Sequence, residues 1–288
     1  MRFRFNRLGV VVLVALSVVL AGCEDEEQAP SAPAAESGSA AGATDRAEWQ
    51  VASVFSSTLP VLGETGRSVA ERIALLSGGR IKLQLFDPGK LVPPLEVLAA
   101  VGAGTVDAGW SVPGSWFDRM PAVAFFSSPP FGADVAEYLA WLYEGQGLSL
   151  WRELYAEQGV VPVPCGYVPP EAAGWSREPL DNVGALKGRK LHQFGLGGLV
   201  VLQKLGATVH LLAAEDIYPA LERAVLDGAQ ISVPSIDAKL GFPKVAKHYY
   251  FPGWHQQASV QELLVNQARW DALGDAERAL VETVCRAA

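Results

Sequence analysis

Strand-like runs take turns with helix-like segments along most of the chain, and this alternation limits the possible fold more than any other feature. Ile81–Phe86 alternates apolar and polar side chains, as a half-buried strand does. The segment before it, Glu64–Leu76, places apolar side chains at helical spacing and is followed by Gly78 and Gly79, which are typical of a helix end. The alternation favours an α/β fold with largely parallel sheets.

Further elements follow from the same patterns. The other predicted strands are 106–110, 160–163, one within 186–194, 208–212, 229–233 and 263–266. The other predicted helices are 94–100, 134–158 with a break near 145–147, 199–205, 214–226 and 275–286. Trp49 opens the part of the chain that we expect to fold, and we find no internal repeat.

The N-terminus has the pattern of an export signal. Arg2, Arg4 and Arg7 precede the uncharged run Leu8–Leu20, and small residues follow it. The apolar run is too short to be a comfortable membrane span. We therefore expect export from the cytoplasm. An ordinary signal peptide and an uncleaved anchor are the alternatives to the lipoprotein signal described next.

Cys23 directly follows Leu20-Ala21-Gly22, which resembles the lipobox of bacterial lipoproteins. The resemblance implies that residues 1–22 are cleaved off and that the Cys23 thiol is diacylated. It places the protein in the periplasm, anchored by lipid to a membrane, which we expect to be the inner one. Residues 23–46 are poor in apolar side chains and rich in Ala, Ser, Gly, Pro and acidic residues, so they predict a flexible tether.

Composition argues against a nucleic-acid partner. Removal of residues 1–22 takes away three arginines and no acidic residue, so the net charge falls from -8 to -11. An acidic surface of this kind offers no electrostatic attraction to phosphates. A local pocket can still differ from this average charge.

Two cysteines remain after Cys23. Cys165 and Cys285 are able to pair in an oxidising compartment. Nothing in the sequence brings them together, so we expect two separate buried thiols. No group of Cys and His has the spacing of a metal site.

Catalytic motifs are not apparent. The glycine cluster 195–198 lacks the spacing of a dinucleotide-binding loop, and no Gly-x-Ser-x-Gly sequence occurs. The four histidines are scattered, at positions 192, 210, 248 and 255. Together with the export signal, these observations favour a binding protein over an enzyme.

A series of short motifs resembles the extracytoplasmic solute receptors of tripartite ATP-independent periplasmic (TRAP) transporters, of the DctP type. The longest is Leu240–His255, which contains Tyr249-Tyr-Phe-Pro-Gly-Trp-His255. The others keep the family order over roughly residues 49–285. They include Leu76–Arg80, Gly89–Pro93, Gly104–Ala108, Pro121–Phe126, Leu186–Gly188 and Lys204–Ala207.

The resemblance implies a two-lobed clamshell with hinge strands between the lobes, which close on a small organic acid. It places lobe I at 47–167, lobe II at 168–257, and a return to lobe I at 258–288. The implied partners are the small and large membrane subunits of a TRAP permease. Relatives continue with further helices, so we expect a truncated C-terminal region.

One departure from the family pattern concerns the ligand carboxylate. Family members place an arginine shortly after the Leu-Lys-Gly motif, where a guanidinium grips two carboxylate oxygens. Here His192 holds that position. An imidazole is charged only part of the time near neutral pH, so the usual anion clamp is missing. The alternative is that His192 is a neutral strand residue in a remodelled pocket.

Four further positions differ from the family pattern or have a role that the sequence leaves open. Gln230 and Ile231 replace the glutamate and tryptophan that hold a metal or the ligand in relatives. Glu171 stands where metal-binding relatives often have an amide, so Glu171 and Gln230 are the candidate metal ligands. The alternative, given equal weight, is that Glu171 is an exposed residue of a loop. Asp237 follows Pro234 as in the family, where it is a candidate helix cap.

These changes predict a small organic ligand that is not a simple monocarboxylate, but neutral, larger or apolar. Phe55, Trp110, Trp116 and Trp175 are the aromatic residues that we expect to enclose it, although an ordinary core shows the same pattern. A stand-alone binding or sensing lipoprotein without a permease is the second hypothesis. A periplasmic enzyme that uses Glu171 and His192 as an acid/base pair is the third.

Overall fold

The computed structural model describes residues 46–127, 129–193 and 195–288, with the side chains of 197–199 excluded. The predictions for the signal peptide, for Cys23 and for most of the tether fall outside this part of the chain. No helix within the described ranges is both long enough and apolar enough to cross a membrane.

Sheet A has five strands in the order β2-β1-β3-β10-β4. β1 is parallel to β2 and β3, while β10 is antiparallel to β3 and β4. Its strands are β1 Ala47–Ser53, β2 Ile81–Phe86, β3 Ala108–Ser111, β4 Val160–Val168 and β10 Ser259–Asn266. Its helices are α1 Leu62–Leu76, α2 Val97–Gly102, α3 Ala124–Ser127, α4 Val135–Glu144, α5 Gly147–Ala156, α8 Gln267–Asp271 and α9 Asp275–Arg286.

Sheet B repeats this arrangement in the order β7-β6-β8-β5-β9. β6 is parallel to β7 and β8, while β5 is antiparallel to β8 and β9. Its strands are β5 Gly174–Ser176, β6 Lys190–His192, β7 Thr208–His210, β8 Gly228–Ala229 and β9 His248–Tyr250. A π-helical turn spans Gly197–Leu202, and the helices are α6 Ala214–Glu222 and α7 Pro234–Leu240.

The expectation of largely parallel sheets was wrong, because each sheet is mixed. A parallel neighbour needs a crossover of a dozen or more residues that returns to the same sheet. β4 instead continues into β5 of the other sheet, and β9 leads back into β10, through the short connecting segments 169–173 and 251–258. We call the structure around sheet A lobe I and the structure around sheet B lobe II, and the residue boundaries given above stay a prediction.

Most helices and strands lie close to where the sequence places them. The helix that ends at Leu76 is followed by Gly78 and Gly79 with φ of 61° and 77°, a left-handed backbone that glycine adopts without strain. The sequence patterns missed β1, β5 and β9. β5 and β9 have only three residues each, which is too short for alternation to be visible.

Cys165 and Cys285 form a disulfide between β4 and α9, so the expectation of two free thiols was wrong. The two residues are separated by 120 positions, and both are fully buried. They meet because α9 packs on β4 after the chain has returned from lobe II. A tertiary contact of this kind leaves no local signal in the sequence.

Candidate functional site

The candidate site is a cavity of about 350 Å³ in lobe II. We call it the lobe II cavity. Its apolar walls are Leu180, Val183, Leu186, Leu191 and Leu202, and its aromatic walls are Trp175, Tyr250 and Trp254. The polar side chains on its surface are Asn182, His192, Gln193 and Gln230.

Short strands of sheet B bring these side chains together. Trp175 is in β5, His192 is in β6, and Gln230 directly follows β8. Gly174 permits this spacing, because a Cβ on it would lie 2.7 Å from the backbone oxygen of Ala229. Its φ of 127° is also one that side chains rarely allow.

His192 is almost completely buried, and its Nδ1 lies 3.0 Å from the carbonyl oxygen of His210. Burial lowers its pKa from 6.5 to about 4, although the hydrogen bond to the His210 backbone acts in the opposite direction. The imidazole is therefore neutral at physiological pH. It supplies no positive charge to the cavity wall.

Glu171 and Gln230 are in direct contact. Glu171 lies in the connecting segment between β4 and β5, is 6% exposed, and accepts a hydrogen bond from Gln230 Nε2. His255 lies in the returning segment, is 2% exposed, and places its Nε2 3.7 Å from a carboxylate oxygen of Glu171. The structure thus joins lobe II to both connecting segments through buried polar side chains.

Asp237 is a buried carboxyl in α7 that contacts the cavity wall. Its Oδ2 accepts a hydrogen bond from Trp175 Nε1 at 3.0 Å. Burial raises its pKa to about 7, partly offset by the Trp175 hydrogen bond, and the charge of Glu171 adds to the increase. The predicted helix-capping role was wrong, because Val233 is the N-cap of α7 and has no capping side-chain hydrogen bond.

The other predicted site residues lie elsewhere in the described chain. Trp110 and Trp116 are buried in the core of lobe I, where their indole N–H groups donate to the Leu62 carbonyl and to Glu262. Ile231 belongs to a buried cluster with Ile217 and Phe242 on lobe II.

Phe55 lines a separate cavity of about 320 Å³. That cavity is bounded by residues 54–56, 59 and 87–88 of lobe I and by 214–215 and 240 of lobe II. The structure therefore brings Trp175, His192 and Gln230 to one cavity, with Glu171 and Asp237 bonded behind it, and does not place Phe55, Trp110, Trp116 or Ile231 on its wall.

Several functional residues were not identified from the sequence. Gln193 is adjacent to His192, and Tyr250 and Trp254 lie in the longest family motif, so both stretches had already been noted for other reasons. The leucines on the cavity wall carry no distinguishing signal, because leucine at such spacing is typical of any core.

Comparison with known proteins gives the family. The family of bacterial extracellular solute-binding proteins, family 7 (DctP), matches residues 51–288. A monocarboxylate 2-oxoacid-binding periplasmic protein of Nostoc sp. is 40% identical over 206 residues, which are 72% of this chain and 56% of the relative. The chain thus spans little more than half the length of that relative.

Solved structures give the same result. A TRAP transporter solute-binding protein of Bordetella bronchiseptica, with calcium and picolinate bound, has a TM-score of 0.81 and 32% identity. A TRAP periplasmic solute-binding protein of Pseudoalteromonas atlantica, with sodium and pyruvate, has a TM-score of 0.81 and 29% identity. The alignments cover 84% of this chain and 72% and 73% of those chains.

These two structures contain a metal ion, so we asked whether Glu171 and Gln230 fit one. Calcium takes six to eight oxygen ligands. Gln230 turns its amide nitrogen toward Glu171, which places a donor where a cation needs an oxygen. Within the described residues no group of three His, Cys, Asp or Glu side chains is arranged to hold a metal. The donor set does not fit, and we derive no step through a metal.

The match over residues 51–288, the mixed sheets of both lobes and the solved neighbours agree with the resemblance noted in the sequence. These neighbours are solute-binding proteins, not enzymes. The chain belongs to the DctP family of bacterial extracellular solute-binding proteins.

Proposed function

We propose that the protein is a lipid-anchored periplasmic receptor of a TRAP-type secondary transporter and captures a small organic ligand in the lobe II cavity. The observation that carries this proposal is a cavity of about 350 Å³ beside the segments that connect the two lobes. Pockets of this size, mostly apolar with a few polar groups, are typical of small-molecule sites. Closure of the lobes on the ligand would exclude water from it.

The ligand is not a simple monocarboxylate in this proposal. At the position of the family's arginine stands His192, whose burial lowers its pKa to about 4. A buried carboxylate without a positive partner loses its hydration and gains no ion pair in return. The neighbouring Glu171 carboxylate would add repulsion, as would the fraction of Asp237 that is ionised at its pKa of about 7.

A 2-oxoacid is the second candidate ligand, and the relatives favour it. The Nostoc relative is named for binding monocarboxylate 2-oxoacids, and the Pseudoalteromonas structure contains pyruvate. A single screen that contains both pyruvate and uncharged compounds decides between the two candidates.

The membrane partners are part of the proposal. Cys23 would carry the lipid, and residues 23–46 would be the tether that holds the receptor near the small and large permease subunits. The alternative is a stand-alone binding or sensing lipoprotein. Metabolic labelling with radioactive palmitate tests the anchor: the label should enter the native protein and should be lost in Cys23→Ser. Copurification of the permease subunits decides between the two roles.

Ligand capture is tested by a thermal-shift and native mass spectrometry screen of small organic compounds. At least one compound should raise the melting temperature and appear as a bound mass. Val183→Trp, at the 60% exposed rim of the cavity, should weaken that binding, while Val225→Trp, at a 55% exposed valine outside the cavity lining, should not. A screen with no bound compound would contradict the receptor function.

A further inference from the structure

The lobe II cavity has no formal charge on its walls. Its described lining residues include no Asp, Glu, Lys or Arg. Its only histidine is His192, which is neutral at physiological pH because burial lowers its pKa to about 4. An ionised ligand group placed there would give up water without meeting an opposite charge.

Two acidic residues lie just behind the wall, and one of them, Asp237, is only partly ionised at neutral pH because its pKa is about 7. Gln230 is hydrogen-bonded to Glu171, and Trp175 is hydrogen-bonded to Asp237. A carboxylate ligand would therefore face like charges through a single layer of side chains. An ammonium ligand would be attracted to the same groups, so an amine is the competing ligand class.

Two amide side chains on the wall have polar atoms without a partner. Gln193 Nε2 and Gln230 Oε1 form no hydrogen bond within the described part of the chain, and each residue is 3% exposed. A buried polar group without a partner is costly. A ligand that accepts from Gln193 and donates to Gln230 would remove both costs.

Some of the remaining polar atoms of the wall have partners. The Asn182 side chain accepts from the Ala185 N–H at 3.2 Å, and the Tyr250 hydroxyl accepts from the Leu180 N–H at 2.6 Å. Trp175 donates to Asp237. Gln193 and Gln230 are the buried amides of the wall that still have a polar atom without a partner among the described residues.

We infer that the lobe II cavity binds an uncharged molecule that joins an apolar body to a carboxamide-type group. A carboxamide offers a carbonyl acceptor and N–H donors, which complement the free atoms of Gln193 and Gln230. The leucine and aromatic walls accommodate the apolar body. This assignment rests on the proposed receptor function, because it names the ligand class of the same cavity.

Calorimetric titration with probes of one skeleton tests the inference. Phenylacetamide, phenylacetate and 2-phenylethylamine share their ring and chain and differ in charge. 4-Methylpentanamide and 4-methylpentanoate form an aliphatic pair. With protein stripped of ligand by unfolding and refolding, at least one amide should bind about tenfold or more tightly than its charged analogues, because rejection of an analogue that leaves site groups unpaired is strong.

Variants test the two glutamines separately. Gln193→Leu and Gln230→Leu should each weaken amide binding by about tenfold, in line with one lost hydrogen bond. Gln50→Leu, at an exposed glutamine of β1 in lobe I, is the matched control and should leave the affinity unchanged. If the melting temperature shows that Gln230→Leu has lost its fold, Gln193→Leu still decides, because the hydrogen bond to Glu171 is made by Gln230.

The outcomes separate this inference from the receptor function. The carboxamide assignment would be overturned, with the receptor function left intact, if phenylacetate or 2-phenylethylamine bound more tightly than phenylacetamide and 4-methylpentanamide bound no more tightly than 4-methylpentanoate. Absence of binding by both amides would overturn it as well. In that case a hit in the broader compound screen keeps the receptor function, and no hit ends both proposals.

Discussion

Gln230 donates a hydrogen bond from Nε2 to the Glu171 carboxylate, and this contact joins the end of β8 in lobe II to the segment that leads from β4 to β5. The bond uses the donor side of the amide and leaves Oε1 without a partner among the described residues. Gln230 lines the lobe II cavity with Glu171 behind it, and the Gln230 amide turns its nitrogen rather than its oxygen toward the Glu171 carboxylate.

Restoring the arginine of the family should restore acid binding. His192→Arg would place a permanent charge in the wall, and hydrogen bonds to a charged group contribute about 1.5–3 kcal/mol. We expect binding of pyruvate or phenylacetate to tighten by about tenfold or more, measured by calorimetric titration. His210→Arg, at an exposed residue of the neighbouring strand β7, is the control. Equal affinities in the two variants would show that position 192 does not control ligand charge.

His192 should make the protein less stable in acid. Its folded pKa is about 4, below the ordinary value of 6.5, so the unfolded chain takes up the proton first as the pH falls. The free energy of unfolding should therefore decrease from about pH 6.5 down to about pH 4. In His192→Gln, the free energy of unfolding should fall less over this pH range. Urea unfolding of both proteins between about pH 4 and about pH 6.5 measures the difference. NMR titration that finds the folded imidazole protonating near pH 6.5 would contradict the assignment.

Glu262 should act in the opposite direction. Burial raises its pKa to about 7, although hydrogen bonds from Ser111 and Trp116 oppose the increase. The folded state keeps this proton to higher pH than the unfolded chain, so the free energy of unfolding should fall from about pH 4.5 to about pH 7. Glu262→Gln should remove a slope of at most ~1.4 kcal/mol per pH unit.

The control for this change is Glu71→Gln on the exposed face of α1. It should retain the wild-type pH dependence in the same urea titrations at pH 5 and pH 8. If Glu262→Gln and Glu71→Gln give the same dependence, Glu262 is ionised in the folded protein at neutral pH.

The disulfide should contribute strongly to stability. It closes a loop between residues 165 and 285, and loss of a native disulfide typically costs ~2–5 kcal/mol. The double variant Cys165→Ser/Cys285→Ser should melt at a lower temperature than the native protein. A reducing agent should lower the melting temperature of the native protein and leave that of the variant unchanged. A native protein that is insensitive to reduction and as stable as the variant would contradict the pairing.

Local patterns predicted most helices and strands, and the family resemblance predicted two lobes, but neither predicted how the sheets are built. α9 was predicted at its observed bounds because its apolar face and its first turn are clear in the sequence. The antiparallel placement of β10 was not predicted, since it depends on the chain crossing from lobe II back to lobe I. Pairing between strands that are far apart in sequence has no local signature, and the same is true of the Cys165–Cys285 bond.

Only some of the predicted site residues line the cavity, again because contacts between distant parts of the chain have no local signature. Trp175, His192 and Gln230 were found because family motifs mark their positions, and the cavity gathers all three. Trp110 and Trp116 were expected to enclose the ligand but lie in the core. The prediction failed because an aromatic residue in a motif gives no information about which face of the sheet it occupies. His255 was missed as a neighbour of Glu171, since the two residues lie in different connecting segments and are 84 positions apart in the sequence (255 − 171).

Titration of the ligand-stripped native protein with pyruvate tests the central claim most directly. His192 is neutral and acidic groups lie behind the cavity wall, so pyruvate should bind weakly, with a dissociation constant above about 1 mM. A dissociation constant of about 1 μM would show that the site binds a simple monocarboxylate and would contradict the account.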